Sequence, residues 1–288
     1  MITMGNKILM LRSFQPFAHY RNPFTMDHPL TFPLPPRSTV IGMLQNLIQD
    51  PYGNKYGELW NSLQVYIVGR NISKFKHAVN LYKSDKYTFE LVISKLPYFA
   101  KKNASIYNET RGFDVIEELF GVFLVLFLKG EESLLKEIKE NTGKRIVSLG
   151  RGDDVVFFQK PIELEETNFE KSKSKFAITD NYGFYIIISD DEIKRFSNVL
   201  PAVGAALSSK FKIKGRIVRS RTEILCNRDL VEREVVFFKD NQKKKVYYVP
   251  PFSEIRNHDN IKVVNVFDFE DKNTTIHLVD EGWLDGQP

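Results

Sequence analysis

Few residues in this chain are of the types that carry out covalent chemistry, and those few are not grouped. Cys226 is the single cysteine, and His19, His28, His77, His258 and His277 are scattered along 288 residues. Metal sites need Cys, His and carboxylates at ligand spacing, which these positions do not offer. There is neither a Walker phosphate loop nor a Gly-x-Ser-x-Gly elbow. The nearest thing to an acid–base set is Lys76-His77, with Tyr52 and Tyr56 upstream; His19-Tyr20-Arg21 is a second grouping. Such side chains suit only a metal-independent cleavage, in which a general base and a cation act on a substrate bearing its own nucleophile, such as a ribose hydroxyl. The plainer alternative for Lys76-His77 is the basic edge of a hairpin. No metal and no cofactor are expected.

What the chain does supply is cations interleaved with aromatics. Net charge is +5, but it is unevenly spread. Residues 70–112 hold nine Lys/Arg against three Asp/Glu, residues 210–249 hold twelve against five, and residues 250–288 hold three against eight. Two basic islands and an acidic tail suit a polyanionic partner, although solvated lysine-rich faces would read the same way. In the first island Tyr82, Tyr87, Tyr98, Phe99 and Tyr107 lie among Lys101, Lys102 and Arg111, a mixture in which cations meet phosphates and rings stack on bases. In the second, strand periodicity puts Lys210, Lys212, Lys214 and Arg216 on one face and Phe211 and Ile213 on the other, with a bulge near 215–218. Lys243-Lys244-Lys245 reads as a hairpin tip.

Strands at 7–14, 63–70, 119–128 and 154–158 alternate with helices at about 37–49 and 131–140. Residues 77–82 and 87–94 read as two strands of an inserted hairpin joined through 83–86, with a polar loop at 100–111. Without that insertion the order is strand-helix-strand-strand-helix-strand, the ferredoxin-like order of RNA-recognition modules. The first helix follows Pro33, Pro35 and Pro36, with Ser38 or Thr39 placed to cap it and Gly42 expected at a close backbone approach. Beyond 160 the pattern is mostly β, at 183–189, 210–221, 233–239, 246–249, 261–267 and 275–279, with a weak helix at 202–209 and an exposed linker at 168–175. The expected class is therefore α+β. A ferredoxin-like domain over 1–160 carries a basic hairpin insertion at about 73–112, and a β-rich region covers 161–288.

At 33.5 kDa, with 42% hydrophobic and 27% charged residues, the composition is that of an ordinary soluble protein. The longest apolar run, 122–128, falls far short of the roughly 20 residues a bilayer requires. Residues 1–5 carry no secretory pattern, and one cysteine suits a reducing compartment, so a cytoplasmic location is expected and no membrane partner.

Two separated stretches also resemble a known family. Phe17-Ala18-His19-Tyr20-Arg21-Asn22-Pro23, followed by Pro35-Pro36-Arg37-Ser38-Thr39-Val40-Ile41-Gly42-Met43-Leu44, is similar to the amino-terminal signature of the fifth CRISPR-associated protein family, within the RAMP superfamily. Ser148-Leu149-Gly150-Arg151-Gly152-Asp153-Asp154 resembles that family's Leu-Gly-Arg-x-x-Asp segment, whose flanking glycines would let backbone amides and the Arg151 guanidinium face an anion together. The glycine-rich loop that the family often carries near its carboxyl end is missing here. The resemblance implies a ferredoxin-like fold and a non-catalytic subunit of a type I Cascade-like effector complex in antiviral defence. Such a subunit caps the 5′ handle of the CRISPR RNA and links the repeated backbone subunit to the large subunit, meeting target DNA only indirectly. Expected RNA contacts are Tyr20, Arg21, Arg37, Tyr98, Lys101, Lys102, Arg111, Arg151, Lys210, Lys212 and Lys214. Some relatives are understood to cut repeat RNA with a tyrosine, a lysine and a histidine, so a metal-independent endoribonuclease using Lys76-His77 is the alternative.

Overall fold

Alternating apolar residues make the described part of this chain rich in strand, and the computed structural model gathers the strands mainly into one antiparallel sheet. It describes residues 7–22, 30–82, 111–189, 191–201, 210–213, 216–219, 237–239, 242–267 and 273–284. The first part of the chain supplies β1 (Lys7–Ala18), β2 (Gln64–Tyr82), β3 (Arg111–Lys129), β4 (Val147–Ser148), β5 (Val155–Phe158) and β6 (Ile162–Glu165). Helices α1 (Arg37–Leu47) and α2 (Leu59–Ser62) lie between β1 and β2, and α3 (Glu132–Asn141) lies between β3 and β4. Next come β7 (Glu170–Lys171), β8 (Ala177–Ile178), β9 (Gly183–Ile188), β10 (Leu200–Pro201), β11 (Lys210–Ile213) and β12 (Arg216–Arg219). The last are β13 (Phe237–Lys239), β14 (Gln242–Val249), β15 (Glu254–Ile255), β16 (Lys262–Phe267) and β17 (Asn273–Leu278). The main sheet runs β10-β14-β9-β2-β3-β1-β5-β4, with β6 also on β1 and β13 on β14. The architecture is mixed α/β, rich in strand and poor in helix, and strands from both sides of residue 160 share this sheet.

Both faces of the sheet are buried along its middle. On one, Leu9, Leu11, Val65, Ile67, Leu124 and Leu126 pack with Val40, Leu44 and Leu47 of α1 and with Leu134 and Ile138 of α3. On the other, Ile8, Met10, Tyr66, Val68, Val125 and Phe127 pack with Val264 and Val266 of β16 and Ile276 and Leu278 of β17. The side-chain parity shifts at one place. Val122, Leu124, Leu126 and Leu128 belong to the helix-side core, and so does Leu119, one step out of phase. The change falls at Gly121, whose φ of +60° suits a residue without Cβ. In register it lies beside Pro16, between the pairs Gln15↔Val122 and Phe17↔Phe120. Pro16 has no N–H for the ladder, so the irregularity costs β1 nothing there. Past it, Ala18 and Tyr20 turn toward the helix-side core.

Beyond this point the strands behave differently from the sequence-based expectation. β2 does not stop at residue 70; it continues to Tyr82 and pairs with β3 over its whole length, from Gln64↔Lys129 to Tyr82↔Arg111. Residues 77–82 therefore have 111–116 as partners and continue a strand of the main sheet, while the rest of the expected hairpin, 83–94, lies outside the described residues. β9 touches β2 only at Val68 and Gly69, and β1 leaves β3 at Leu119. Among the described residues, the outer part is a two-stranded ribbon. Residues 87–94 and 202–209 lie outside the described residues.

Three smaller expectations also change. α1 begins at Arg37 with Pro36 as its N-cap and no side-chain cap; the amides of Thr39 and Val40 donate to the Pro36 carbonyl. A Cβ on Gly42 would meet nothing within 4 Å, so no close backbone approach explains that glycine. Within the expected 210–221 strand, residues 210–213 and 216–219 are two paired strands, β11 and β12, with Lys210 opposite Arg219 and Ile213 opposite Arg216. It is not one bulged strand.

Arg37 is almost fully buried, 2% exposed. Its Nε donates to the Leu284 carbonyl at 3.1 Å, and one terminal nitrogen donates to the carbonyls of Trp60 at 3.0 Å, Asn61 at 3.3 Å and Leu63 at 2.7 Å. It thus satisfies the carbonyls left open as α2 ends and ties them to residue 284, whose backbone pairs with Val65. Arg37→Ala would leave several buried acceptors unpaired and is expected to cost about 3 kcal/mol in urea unfolding followed by far-UV circular dichroism. A loss below roughly 0.5 kcal/mol, the size of an ordinary surface change, would show that those carbonyls do not depend on it.

Candidate nucleic-acid interface

The Leu149-Gly150-Arg151-Gly152-Asp153-Asp154 turn precedes β5 and closes on itself around one carboxylate. Asp154 is 2% exposed. Its Oδ2 accepts from the His19 amide at 2.9 Å and the Arg151 amide at 2.8 Å, and its Oδ1 accepts from the Arg151 guanidinium at 3.0 and 3.3 Å. Gly150, at φ +116°, passes so close that a Cβ there would sit 2.6 Å from Asp154 Oδ2 and 2.9 Å from the His19 carbonyl. Gln15 adds donors to the carbonyls of Leu149 and Asp154. The Arg151 guanidinium also bonds Glu118 and lies 3.5 Å from Asp153. Burial pushes the Arg151 guanidinium down, but Asp154, Glu118 and Asp153 more than offset this and hold it above its usual value.

The root of the β2–β3 ribbon has two chemically different faces, which follow from the run Lys74-Phe75-Lys76-His77. Lys74 reaches Glu117 at 3.1 Å, and Lys76 is opposite Glu117 in register. Glu117 is buried and also accepts from the Thr31 amide at 3.1 Å, and Thr31 bridges to Arg21. Lys74 and Lys76 therefore share one face of β2 with the buried Glu117 carboxylate, and the Thr31 amide brings the segment bridged to Arg21 to the same carboxylate. Arg21 and Lys76 are exposed and form no ion pair among the described residues. The opposite face carries Phe75, His77 and Glu118, with Phe120 and Phe17 adjoining. His77 Nδ1 lies 3.7 Å from Glu118 Oε2, too far for a hydrogen bond.

The expected RNA contacts divide sharply by burial. Tyr20 is 1% exposed; its hydroxyl donates to Gln15 Oε1, and burial, with Asp154 and Tyr185 nearby, pushes that hydroxyl well above its usual value. A ring with no free face cannot stack on a base, so Tyr20 is a core residue. Arg37 is likewise structural, because its donors are spent on carbonyls. Arg151 does face an anion as expected, but the anion is the chain's own Asp154 carboxylate. Arg21 remains at the surface. Arg111 opens β3 opposite Tyr82, and Lys210 and Lys212 lie in β11; for these three only the backbone is described. Tyr98, Lys101, Lys102 and Lys214 lie outside the described residues. Lys74 escaped the sequence reading, although the alternation of cations and rings at 74–77 marks it once β2 is known to be strand.

The alternative catalytic grouping is not assembled. Tyr56 packs on Trp60 and donates to Glu137 of α3, beside the start of β2, and Tyr52 is 84% exposed in the same turn. His77 lies thirteen residues along the strand from Gln64, roughly 40 Å away.

The model of the family described as CRISPR-associated protein (Cas_Cas5) matches residues 8–184, more than half of the chain. This chain belongs to that family. The match takes in α1, the ribbon and the Asp154 turn. No curated protein matches the chain. Among solved structures, a CRISPR protein from Archaeoglobus fulgidus is 12% identical, with 95% of this chain and 100% of that one covered and a TM-score of 0.41. A chain of a CRISPR RNA-guided surveillance complex is 14% identical, with 85% and 90% covered and a TM-score of 0.41. A solved Cas protein is 20% identical over 51% of this chain, which spans 58% of its length, with a TM-score of 0.30.

Asp154→Ala would release two buried amides and leave Arg151 beside fewer carboxylates. It is expected to lower stability by about 3 kcal/mol, whereas Lys76→Ala, on the exposed face, should stay within about 0.5 kcal/mol of the parent in the same unfolding experiment.

Proposed function

We propose that this chain is a subunit of a type I CRISPR effector complex that binds and caps the 5′ handle of the CRISPR RNA without cutting it. Membership of the Cas5 family supports an effector-complex role. The observation that carries the RNA-binding part is the placement of Lys74 and Lys76 on one face of the ribbon root, where the single Glu117 carboxylate offsets only part of their charge and the exposed Arg21 lies in the segment bridged to Thr31 beside it. Phosphates would lie along that face, and the long ribbon continues it outward toward Arg111. Recognition of single-stranded RNA in this way uses splayed bases and needs no metal.

The sheet order β5-β1-β3-β2, all antiparallel, with α1 and α3 packed on one face, supports reading the first part of the chain as ferredoxin-like and RAMP-related. In this proposal the chain acts in the cytoplasm, the ribbon reaches the repeated backbone subunit, the body meets the large subunit, and target DNA is contacted only through the assembled complex. Separation of His77 from Tyr52 and Tyr56 supports the non-catalytic reading over the endoribonuclease alternative.

The test is a titration of the purified protein with its own labelled repeat RNA in EDTA, at several salt concentrations, with binding and cleavage read together. Binding without cleavage is expected. Replacing Arg21, Lys74 and Lys76 together by alanine should weaken it at least about tenfold and reduce the log–log salt slope by about 2, from roughly 0.7 per phosphate. Specific cleavage that His77→Ala abolishes would overturn the non-catalytic reading.

A further inference from the structure

On the ribbon face opposite Lys74 and Lys76, Phe17, Phe75 and Phe120 form a continuous aromatic platform. They are 46%, 36% and 40% exposed, and Phe17 lies 5.4 Å from Phe120 and 6.3 Å from Phe75 between ring centroids. His77 extends it, 5.6 Å from Phe75. Three large rings side by side in water are costly to maintain, and a patch of this kind marks a contact surface.

The groups bordering the platform decide what it can contact. Glu118 projects beside Phe75, and Arg151 carries Asp153 and Asp154 to the same edge. Glu118 and Asp154 are buried against that single guanidinium and Asp153, 79% exposed, lies at its surface, so three carboxylates outnumber one cation there. A phosphate chain laid over these rings would meet this net negative charge, while Lys74 and Lys76 point to the other side of β2. The partner that complements an aromatic centre with a carboxylate edge is a basic, apolar protein surface.

We propose that the Phe17–Phe75–Phe120 platform is a docking surface for a protein partner presenting apolar side chains rimmed by lysine or arginine, so that the ribbon root holds RNA on one face and protein on the other. The assignment rests on the effector-complex reading given above for its choice of partner, but the platform's chemistry stands apart from the cationic face.

The test uses the double variant Phe75→Ala/Phe120→Ala and, separately, Asp153→Lys, with folding checked by thermal denaturation. Each is co-expressed with the effector subunits encoded alongside the chain, and incorporation into the complex is read by native mass spectrometry. The same purified proteins are titrated with repeat RNA. Incorporation of the double variant should fall at least about tenfold, as for the loss of a central hot spot, with RNA affinity within about twofold of the parent; Asp153→Lys should shift incorporation the same way by less. A tenfold loss of RNA affinity with incorporation intact would overturn the proposal and make the platform a base-stacking site. No change in either would overturn it outright. If the parent binds RNA yet never joins the complex, docking is overturned and RNA binding stands; if the parent joins but binds no RNA while the double variant fails to join, docking stands and the RNA reading falls.

Discussion

A single buried carboxylate organises the half of the molecule in which the ribbon begins. Without partners, Asp154 would be far too costly to bury; with two backbone amides and a bidentate arginine it becomes the point where the end of β1, the turn before β5 and, through Arg151 and Glu118, the base of β3 are held together. Gly150 is required because the carboxylate occupies the space a side chain would need. A charged network of this kind fixes geometry more than it adds net stability, since each member left alone would be an uncompensated charge.

The second constraint is that the broad face of the sheet is not available. In RNA-recognition modules with this strand order, aromatic residues on the open face stack bases. Here the corresponding side chains, Tyr66, Phe123 and Phe127 among them, are covered by β16, β17 and Trp283. Exposed rings lie instead at the edge, past the parity change at Pro16 and Gly121, where Phe17 and Phe120 are turned to solvent.

Much of this was legible in the sequence because it depends on local pattern. Alternation located β1, β9, β16 and β17, and the three-and-four spacing located α1 and α3. Burial was not legible. Tyr20, Arg37 and Arg151 are polar residues in motifs, and motif position alone does not separate a side chain that meets a ligand from one that satisfies the chain's own carbonyls and carboxylates. The answer depends on residues far along the sequence, such as Asp154 for Tyr20 and Leu284 for Arg37. The length of β2 was hidden for a different reason. Lys74, Lys76 and Asn80 lack strand propensity, and the ladder with β3 supplies what local preference does not. Conversely, Lys74-Phe75-Lys76-His77 held a readable two-faced pattern that counting charge alone passed over.

The bond from Arg37 to the Leu284 carbonyl joins residues 247 apart. On the ribosome, at roughly 5–20 residues per second, the guanidinium waits on the order of tens of seconds for its last acceptor and for the strand that bridges Val65. During that time the helix-side core lacks Tyr185, Val246, Tyr248 and Leu284 in turn, and the start of β2 remains open to water. The protein therefore has a vulnerable interval during its own synthesis, ended by a residue that emerges 247 positions after the arginine it satisfies.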